Sequence, residues 1–392
     1  MGKTFVGSNK LNQLNKRNNL VVCQKSKVDD WVEHLKNNYD NMSVFDLTKE
    51  KDFIEFCTRI NLDLANKLFV GVINYDLVWR RKGLSNLVNF TLMLDESSLI
   101  QHKSAKRTKF ITKKLKPDNI ILLSGTPTSG KYENLLTQIN LLGWDISEET
   151  FWNQYIDWEW MEIDGYYQRK ANDYKNVDRL KRKLRQHGCV FLKTEDVLDL
   201  PDQVDMEIKV NVTSDYKKFH KNKIININGE ELVGLNVLTQ MLYERQLCGQ
   251  FNADKLKAFE DLLNSTEDRL IVFYNFNEEL DRLRDIVDRP VSIVNGKEKD
   301  LDNYEECNNS VTFIQYQAGA MGLNLQKANK IIYFTPPLSS ELFEQSKKRI
   351  HRIGQESSCF YYYLVCKNSI EEKIYKTLAM RRDYTEELFN EE

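Results

Sequence analysis

Short runs of β-branched and aromatic residues recur along this chain, each followed by a longer amphipathic stretch, and this alternation narrows the possible folds more than any other feature. A first series occupies residues 20–23, 70–74, 90–94 and 120–124, and a second occupies 270–274, 291–294, 311–316, 331–334 and 360–365. Brief apolar runs separated by helix-length segments are the pattern of parallel strands with crossover helices. Two α/β sheets are therefore predicted, with a break marked by Leu200-Pro201. The boundaries that follow are 1–205 for a first lobe and 206–392 for a second, with residues 206–250 read as helices leading into the second sheet. Residues 132–187 read as a polar, helical projection. Its aromatic residues, Phe151, Trp152, Tyr155, Trp158, Trp160, Tyr166 and Tyr167, either pack that projection or offer a surface for base stacking or a partner.

The 392 residues give room for two to three cores. An apolar share of 41% and a charged share of 29% exclude a disordered or fibrous chain. No run of about 18 apolar residues occurs and the start lacks a signal-peptide pattern, so the expectation is a cytosolic chain with no membrane partner. Seven scattered cysteines form no C-x-x-C pair and no zinc-type spacing with histidine. They are expected to be reduced thiols, mostly in the interior. The net charge of −2 points to no polyanionic partner by itself, but local windows differ. Lys103, Lys106, Arg107, Lys109, Lys113, Lys114 and Lys116 follow one another without an acid, and residues 169–187 hold eight bases against two acids. Such clusters are either solvated helix faces or contacts for a phosphate backbone.

Four motifs carry chemistry. Leu92-Met93-Leu94-Asp95-Glu96-Ser97-Ser98 is an apolar strand ending in two carboxylates, which is either a structural strand end, the commoner case for this pattern alone, or the arrangement in which one acid holds Mg²⁺ and the next polarises a water. A second strand ends in Ser124-Gly125-Thr126-Pro127, where small hydroxyl residues either relay nucleotide state or simply make a tight turn. In Gln317-Ala318-Gly319-Ala320-Met321-Gly322-Leu323-Asn324-Leu325, two glycines let backbone amides approach a phosphate or sugar. Residues 345–355 run from Gln345 through Arg349 and Arg352 to Gln355. Three apart, the two arginines would share a helix face, either to reach one phosphate together or as part of a basic surface helix.

In order and spacing these motifs resemble a Swi/Snf-type DNA-dependent ATPase of helicase superfamily two, a fold of two RecA-like lobes. The resemblance covers nearly the whole chain: residues 20–31 are similar to motif Ia, 72–77 to Ib, 95–98 to II, 124–127 to III, 270–276 to IV, 317–325 to V and 345–355 to VI. The segment 191–201, Phe-Leu-Lys-Thr-Glu-Asp-Val-Leu-Asp-Leu-Pro, resembles the piece that separates this group from DEAD-box relatives. The short middle region resembles minimal motors encoded by phages of low-GC bacteria, which would place the chain in a bacterial host cytoplasm.

The resemblance implies ATP and Mg²⁺ as cofactors and DNA, duplex and read without sequence preference, as partner. It implies Gly2, Lys3, Thr4, Gly322 and Gln345 at the nucleotide and Thr4 with Asp95 at the metal. Glu96 would orient water, Arg349 and Arg352 would act as arginine fingers, and Ser124 and Thr126 would couple the lobes. Lys25, Ser26 and Asn74 would touch DNA phosphates by resemblance, and Lys103, Lys106 and Arg107 by charge. One departure matters: a P-loop requires G-x-x-x-x-G-K-[ST], and Met1-Gly2-Lys3-Thr4 is only its last third. The expectation is a truncated or interrupted start, with the first lobe short of a central strand that an N-terminal segment could supply in trans. A chance match is the alternative, against which residues 5–14 continue as the expected helix. Three outcomes stay open: a DNA motor, an ATPase-deficient DNA-binding helicase fragment, and an RNA-directed enzyme.

Overall fold

β1 (Asn18–Cys23) is buried along its whole length, as a strand covered on both faces must be. Around it, β2 (Met42–Asp46), β3 (Leu68–Asn74), β4 (Phe90–Asp95) and β5 (Asn119–Leu123) complete a five-stranded parallel sheet in the order β2-β3-β1-β4-β5. The computed structural model describes residues 2–60, 67–163, 165–192, 199–227, 229–319 and 322–389. It divides into two units, Met1–Leu192 with Tyr384–Glu392, and Lys193–Asp383. In the first unit the crossover helices are α1 (Lys3–Leu14), α2 (Val28–Asn38), α3 (Glu50–Arg59), the short α4 (Tyr75–Val78) and α5 (Lys106–Lys113). Alternate residues of each strand face opposite layers: Leu20, Val22, Leu92 and Leu94 one way, Val21, Val70, Val72 and Met93 the other. Each such side chain contributes about 1.5–3 kcal/mol on burial. α1 lies tight on this sheet, because a Cβ at Gly7 would sit 2.6 Å from Leu123 Cδ1 and 2.9 Å from Met93 Sδ.

The projection is not wholly helical. α6 (Leu136–Leu141) and α7 (Glu148–Tyr155) are followed by an antiparallel hairpin of β6 (Ile156–Ile163) and β7 (Tyr166–Tyr174), and then by α8 (Val177–Gln186). The alternation Trp158, Trp160 along β6 has a period of two, and Gly165 in the turn takes φ +80°, a hairpin conformation that glycine permits. Phe151, Trp152, Tyr155 and the partly buried Trp158 pack with Leu180 and Leu184 of α8, whereas Trp160, Tyr166 and Tyr167 are exposed.

In the second unit, β8 (Gln203–Val210), α9 (Ser214–Asn222), the hairpin β9 (Ile224–Ile227) with β10 (Glu230–Val233), α10 (Val237–Cys248) and α11 (Ala253–Asn264) precede β11 (Leu270–Tyr274). The remaining elements are α12 (Asn277–Arg284), β12 (Val291–Val294), α13 (Asp302–Glu306), β13 (Val311–Gln315), α14 (Tyr316–Gly319), β14 (Lys330–Tyr333), α15 (Ser340–Lys347), β15 (Cys359–Cys366) and α16 (Ile370–Phe389). Six strands form a second all-parallel sheet, β12-β13-β11-β14-β15-β8. Two expectations are corrected here. Residues 206–250 are not helical throughout, and the second sheet reaches back to Gln203, ahead of a boundary at 206, because β8 pairs with β15 from Gln203↔Cys359 to Val210↔Cys366. As an edge strand exposed over most of its length, β8 carries alternating charges in place of an apolar run. Among the described residues no helix is long and apolar enough to cross a membrane. Cys23, Cys248, Cys359 and Cys366 are buried, and all seven cysteines are unbridged.

Candidate active site

Parallel strands deliver their C-terminal ends to one edge of the sheet, and in the first unit that edge collects the predicted acids. Asp95 closes β4 and Glu96 follows with φ +53°, a left-handed conformation rare outside glycine and enriched at functional sites. Tyr75 holds it there: its hydroxyl donates to the carbonyls of Asp95 (2.9 Å) and Glu96 (3.4 Å). The bend sends the two carboxylates to different partners. Asp95 Oδ2 accepts the Trp31 indole N–H at 2.9 Å, and Glu96 Oε1 accepts from Lys3 Nζ at 2.7 Å. Burial pushes the Asp95 carboxyl above its ordinary range, against the opposing pull of the Trp31 hydrogen bond.

Lys3 stands in the first turn of α1, preceded by Gly2 at φ +75°. A Cβ on Gly125 would come within 3.4 Å of the Lys3 ammonium, so the 124–127 segment faces the same spot. There the Ser124 hydroxyl accepts the Thr126 N–H at 3.1 Å, and the buried Thr126 hydroxyl finds no hydrogen-bond partner among the described residues. Lys3 of α1, Asp95 and Glu96 at the end of β4, and the 124–126 turn after β5 thus gather from three elements, and the half-buried Thr4 follows Lys3 on α1. Hard oxygen donors, the Asp95 carboxylate and the Thr4 hydroxyl, suit Mg²⁺. The fit is supported by the state of Asp95, whose desolvation is not offset by the positive charge around it, a deficit that a divalent cation would relieve.

The predicted DNA contacts divide. Lys25 and Ser26 are exposed on the turn Lys25–Lys27 that leaves β1. Asn74, at the end of β3, is buried, because its backbone pairs with Cys23 inside the sheet. Lys103 is paired with Glu148, Lys106 lies 5.0 Å from the centroid of the Trp79 ring, and Arg107 donates to Leu99 O (3.0 Å) and reaches Asp76 (3.5 Å). All three already have partners on their own surface. Gln138 is a link that sequence reasoning missed. It accepts from the Ser97 hydroxyl (2.8 Å) and donates to Pro127 O (2.7 Å), tying the turn after Glu96 to the one after Thr126. A lone glutamine in an amphipathic helix carries no signal of such a role. Trp31 and Tyr75 fall within the segments similar to motifs Ia and Ib, but their partners lie 64 and 20 residues away.

In the second unit, α15 ends at Lys347, so Arg349 and Arg352 do not share a helix face. The Arg349 carbonyl accepts from Leu325 N–H (3.1 Å) and so leaves the helical ladder, and Gly354 at φ +92° turns the chain onward. Buried Gln355 holds this segment by donating to Ala328 O at 2.9 Å. The same segment meets the 322–325 stretch again where Arg352 donates to Leu323 O at 3.4 Å, and burial lowers the pKa of that guanidinium. Gly322 takes φ +73°, and Gln345, on α15, donates to Glu341 (3.2 Å). Ala320 and Met321 of the glycine-containing motif, residues 193–198 of the 191–201 segment and Met1 lie outside the described residues.

Comparison with known proteins gives the family. Residues 5–253 match the SNF2-related domain and residues 254–354 the helicase conserved C-terminal domain. The mouse SWI/SNF-related matrix-associated actin-dependent regulator of chromatin subfamily A member 1 is 23% identical over 91% of this chain and 37% of its own length. The yeast ISWI chromatin-remodeling complex ATPase ISW1 (Saccharomyces cerevisiae) is 22% identical over 91% and 34%. The mouse chromodomain-helicase-DNA-binding protein 1-like is 22% identical over 93% and 44%. The chain spans about a third to less than half of the length of these curated relatives. A solved structure of the C-terminal part of the Fun30 ATPase domain covers 49% of the chain and 98% of its own at 14% identity and TM-score 0.37, too low to add to what the two sheets establish. With a family domain matched over more than half of its residues, and with a helicase C-terminal domain behind it, this chain belongs to the SNF2-related family.

Proposed function

We propose that this chain is the motor core of an ATP-dependent DNA translocase. One observation carries the reading: Lys3 and Glu96, 93 residues apart, meet at 2.7 Å beside Asp95, which gathers a phosphate-neutralising cation and an acid pair at the strand ends of one sheet. Lys3 would exchange its bond to Glu96 for the β and γ phosphates of ATP. Glu96, released from Lys3, would orient the attacking water and take its proton. Asp95 and Thr4 would hold Mg²⁺, which when bound would neutralise phosphate charge. Arg349 and Arg352 would stabilise the charge developing on the transferred phosphoryl group. Gly322 and Gln345 would complete the nucleotide contacts, and Ser124 and Thr126 would report nucleotide state through Gln138. Lys25 and Ser26, with the basic face of α5, would follow a duplex backbone without reading bases.

The relatives' printed names, a chromatin-remodeling complex ATPase and a helicase-DNA-binding protein, support ATP and DNA as the ligands. Movement on duplex DNA is preferred to strand separation, and a cytoplasmic site, that of a bacterial host for a phage-encoded form, belongs to the same proposal. Among the described residues β5 pairs on one side only. A strand entering along its other edge would complete a phosphate-binding loop ahead of Lys3.

The test is DNA-stimulated ATP hydrolysis by this chain and by a version extended through the upstream reading frame. Stimulation by duplex DNA exceeding that by RNA is expected, with Glu96→Gln lowering the rate by about 10²–10⁴-fold. Hydrolysis by the extended version alone would show that the loop is needed. Failure of both on every nucleic acid would leave the ATPase-deficient DNA-binding reading.

A further inference from the structure

Trp31 is 2% exposed, and its indole N–H, a donor with no acceptor function, is spent on Asp95 Oδ2 at 2.9 Å. Its helix, α2, starts where the exposed turn Lys25–Lys27 ends. One turn further along α2, the His34 ring meets the Trp31 ring edge-on at 6.0 Å and Phe5 of α1 at 4.6 Å. His34 also shares a hydrogen bond with Ser8 of α1 at 3.0 Å. α2 therefore touches the acid at the end of β4, carries the exposed basic turn, and braces the helix that presents Lys3.

Resting on the function proposed above, we infer that Trp31 is a positioning residue for the metal-holding carboxylate. By engaging Oδ2, together with the Glu96 N–H that also bonds this carboxylate, it would fix the plane in which Asp95 meets the cation. A rotating carboxylate would lose that orientation, and outer-shell partners of this kind typically carry about 10- to 100-fold in metal affinity or activity. The Lys25–Lys27 turn leads into the same helix, so a phosphate backbone drawn to Lys25 and Ser26 bears on the element that aims Asp95.

The experiment compares the full chain, extended upstream if hydrolysis requires it, with Trp31→Phe. Three quantities are read: Mn²⁺ binding by electron paramagnetic resonance in the presence of a non-hydrolysable ATP analogue, the Mg²⁺ concentration giving half-maximal hydrolysis, and duplex DNA affinity. The expected result is Mn²⁺ affinity weakened, and the Mg²⁺ requirement raised, by about tenfold or more, with excess Mg²⁺ restoring the rate and DNA affinity unchanged within about twofold. If phenylalanine at this position prevents folding, benzothienylalanine placed at residue 31 keeps the ring shape and removes only the N–H, and the same shifts are expected. Equal Mn²⁺ affinity and Mg²⁺ dependence in the parent and either folded variant overturn the role of Trp31 while leaving the motor intact. A parent chain that neither binds Mn²⁺ with nucleotide nor hydrolyses ATP overturns the motor reading and this inference with it.

Discussion

Glu96 sits in a backbone conformation that a non-glycine residue adopts at some cost, and the Tyr75 hydroxyl helps to hold it there, beside the Leu99 N–H that donates to the Glu96 carbonyl at 3.0 Å. Tyr75→Phe should therefore loosen the bend that separates the two carboxylates. The expected loss is about 1–2 kcal/mol of stability together with a several-fold lower hydrolysis rate at saturating ATP, read by urea unfolding and steady-state kinetics. A variant that kept its rate would show that packing alone sets the bend. A second residue-scale effect lies in the other unit. Glu279 is fully buried, and although its Oε2 accepts from Asn275 N–H, Phe276 N–H and the Thr335 hydroxyl, burial pushes its pKa from 4.5 up to about 7. Below about pH 4.5 both the folded and unfolded carboxyls are protonated and no penalty arises. Between 4.5 and 7 the unfolded form gives up its proton while the folded form keeps it, so stability falls as pH rises, by about 3 kcal/mol in total. Glu279→Gln removes that titration. The stability difference between parent and variant, from urea unfolding at pH 5 and pH 7.5, should shift in the variant's favour at the higher pH.

At the scale of elements, α11 and α16 are joined by the pair Lys255–Glu371, both side chains fully buried, with Nζ 2.6 and 2.7 Å from the two carboxylate oxygens. Cys248, Cys366 and Glu371 place three metal-type ligands within 4.8 Å of one another, but Lys255 already occupies both oxygens, and the cluster is better described as an ion pair lined by thiols. Removing one partner strands a buried charge, so Lys255→Met should lose about 3–5 kcal/mol. Adding Glu371→Gln, which keeps an acceptor for Cys366 N–H, should recover more than half of that loss in thermal or urea unfolding. This scale also shows what the amino-acid sequence made legible. The strands at 20–23, 90–94 and 270–274 were readable because they are buried on both faces and form runs of apolar and β-branched residues. β2 and β8 were not, because edge strands tolerate Ser, Asp and Lys on a solvated side. The β6–β7 hairpin was hidden by reading its tryptophans as helical, although their period of two and the Asp164-Gly165 pair signalled a turn. Arg349 and Arg352 were found by motif, but their setting was misjudged, since the carbonyl bond from Leu325 that ends the helix joins residues 24 positions apart. Trp31, Tyr75 and Gln138 act through partners that only the fold brings near.

For the molecule as a whole, the proposed chemistry divides its charges between the units, with Lys3, Asp95 and Glu96 in the first and Arg349 and Arg352 in the second. Such a division predicts a separation of binding from turnover. The first unit's Lys3 would carry much of the ground-state attraction for the phosphates, whereas an arginine that acts on the transition state adds little to ATP affinity and about 10³–10⁵-fold to the rate. Arg352→Ala should therefore leave the affinity for a fluorescent ATP analogue within about threefold, measured on the chain, or its upstream-extended form, in the absence of DNA. The same variant should lose at least about 10³-fold in hydrolysis at saturating duplex DNA. Arg352→Lys should recover little, because an ammonium restores the charge but not the planar fork that grips two phosphate oxygens. DNA affinity, set by phosphate contacts elsewhere, should stay unchanged in both variants and fall steeply with added salt in all three proteins. A rate within tenfold of the parent in the alanine variant would remove the second unit from the chemistry and confine the reaction to the acids of the first.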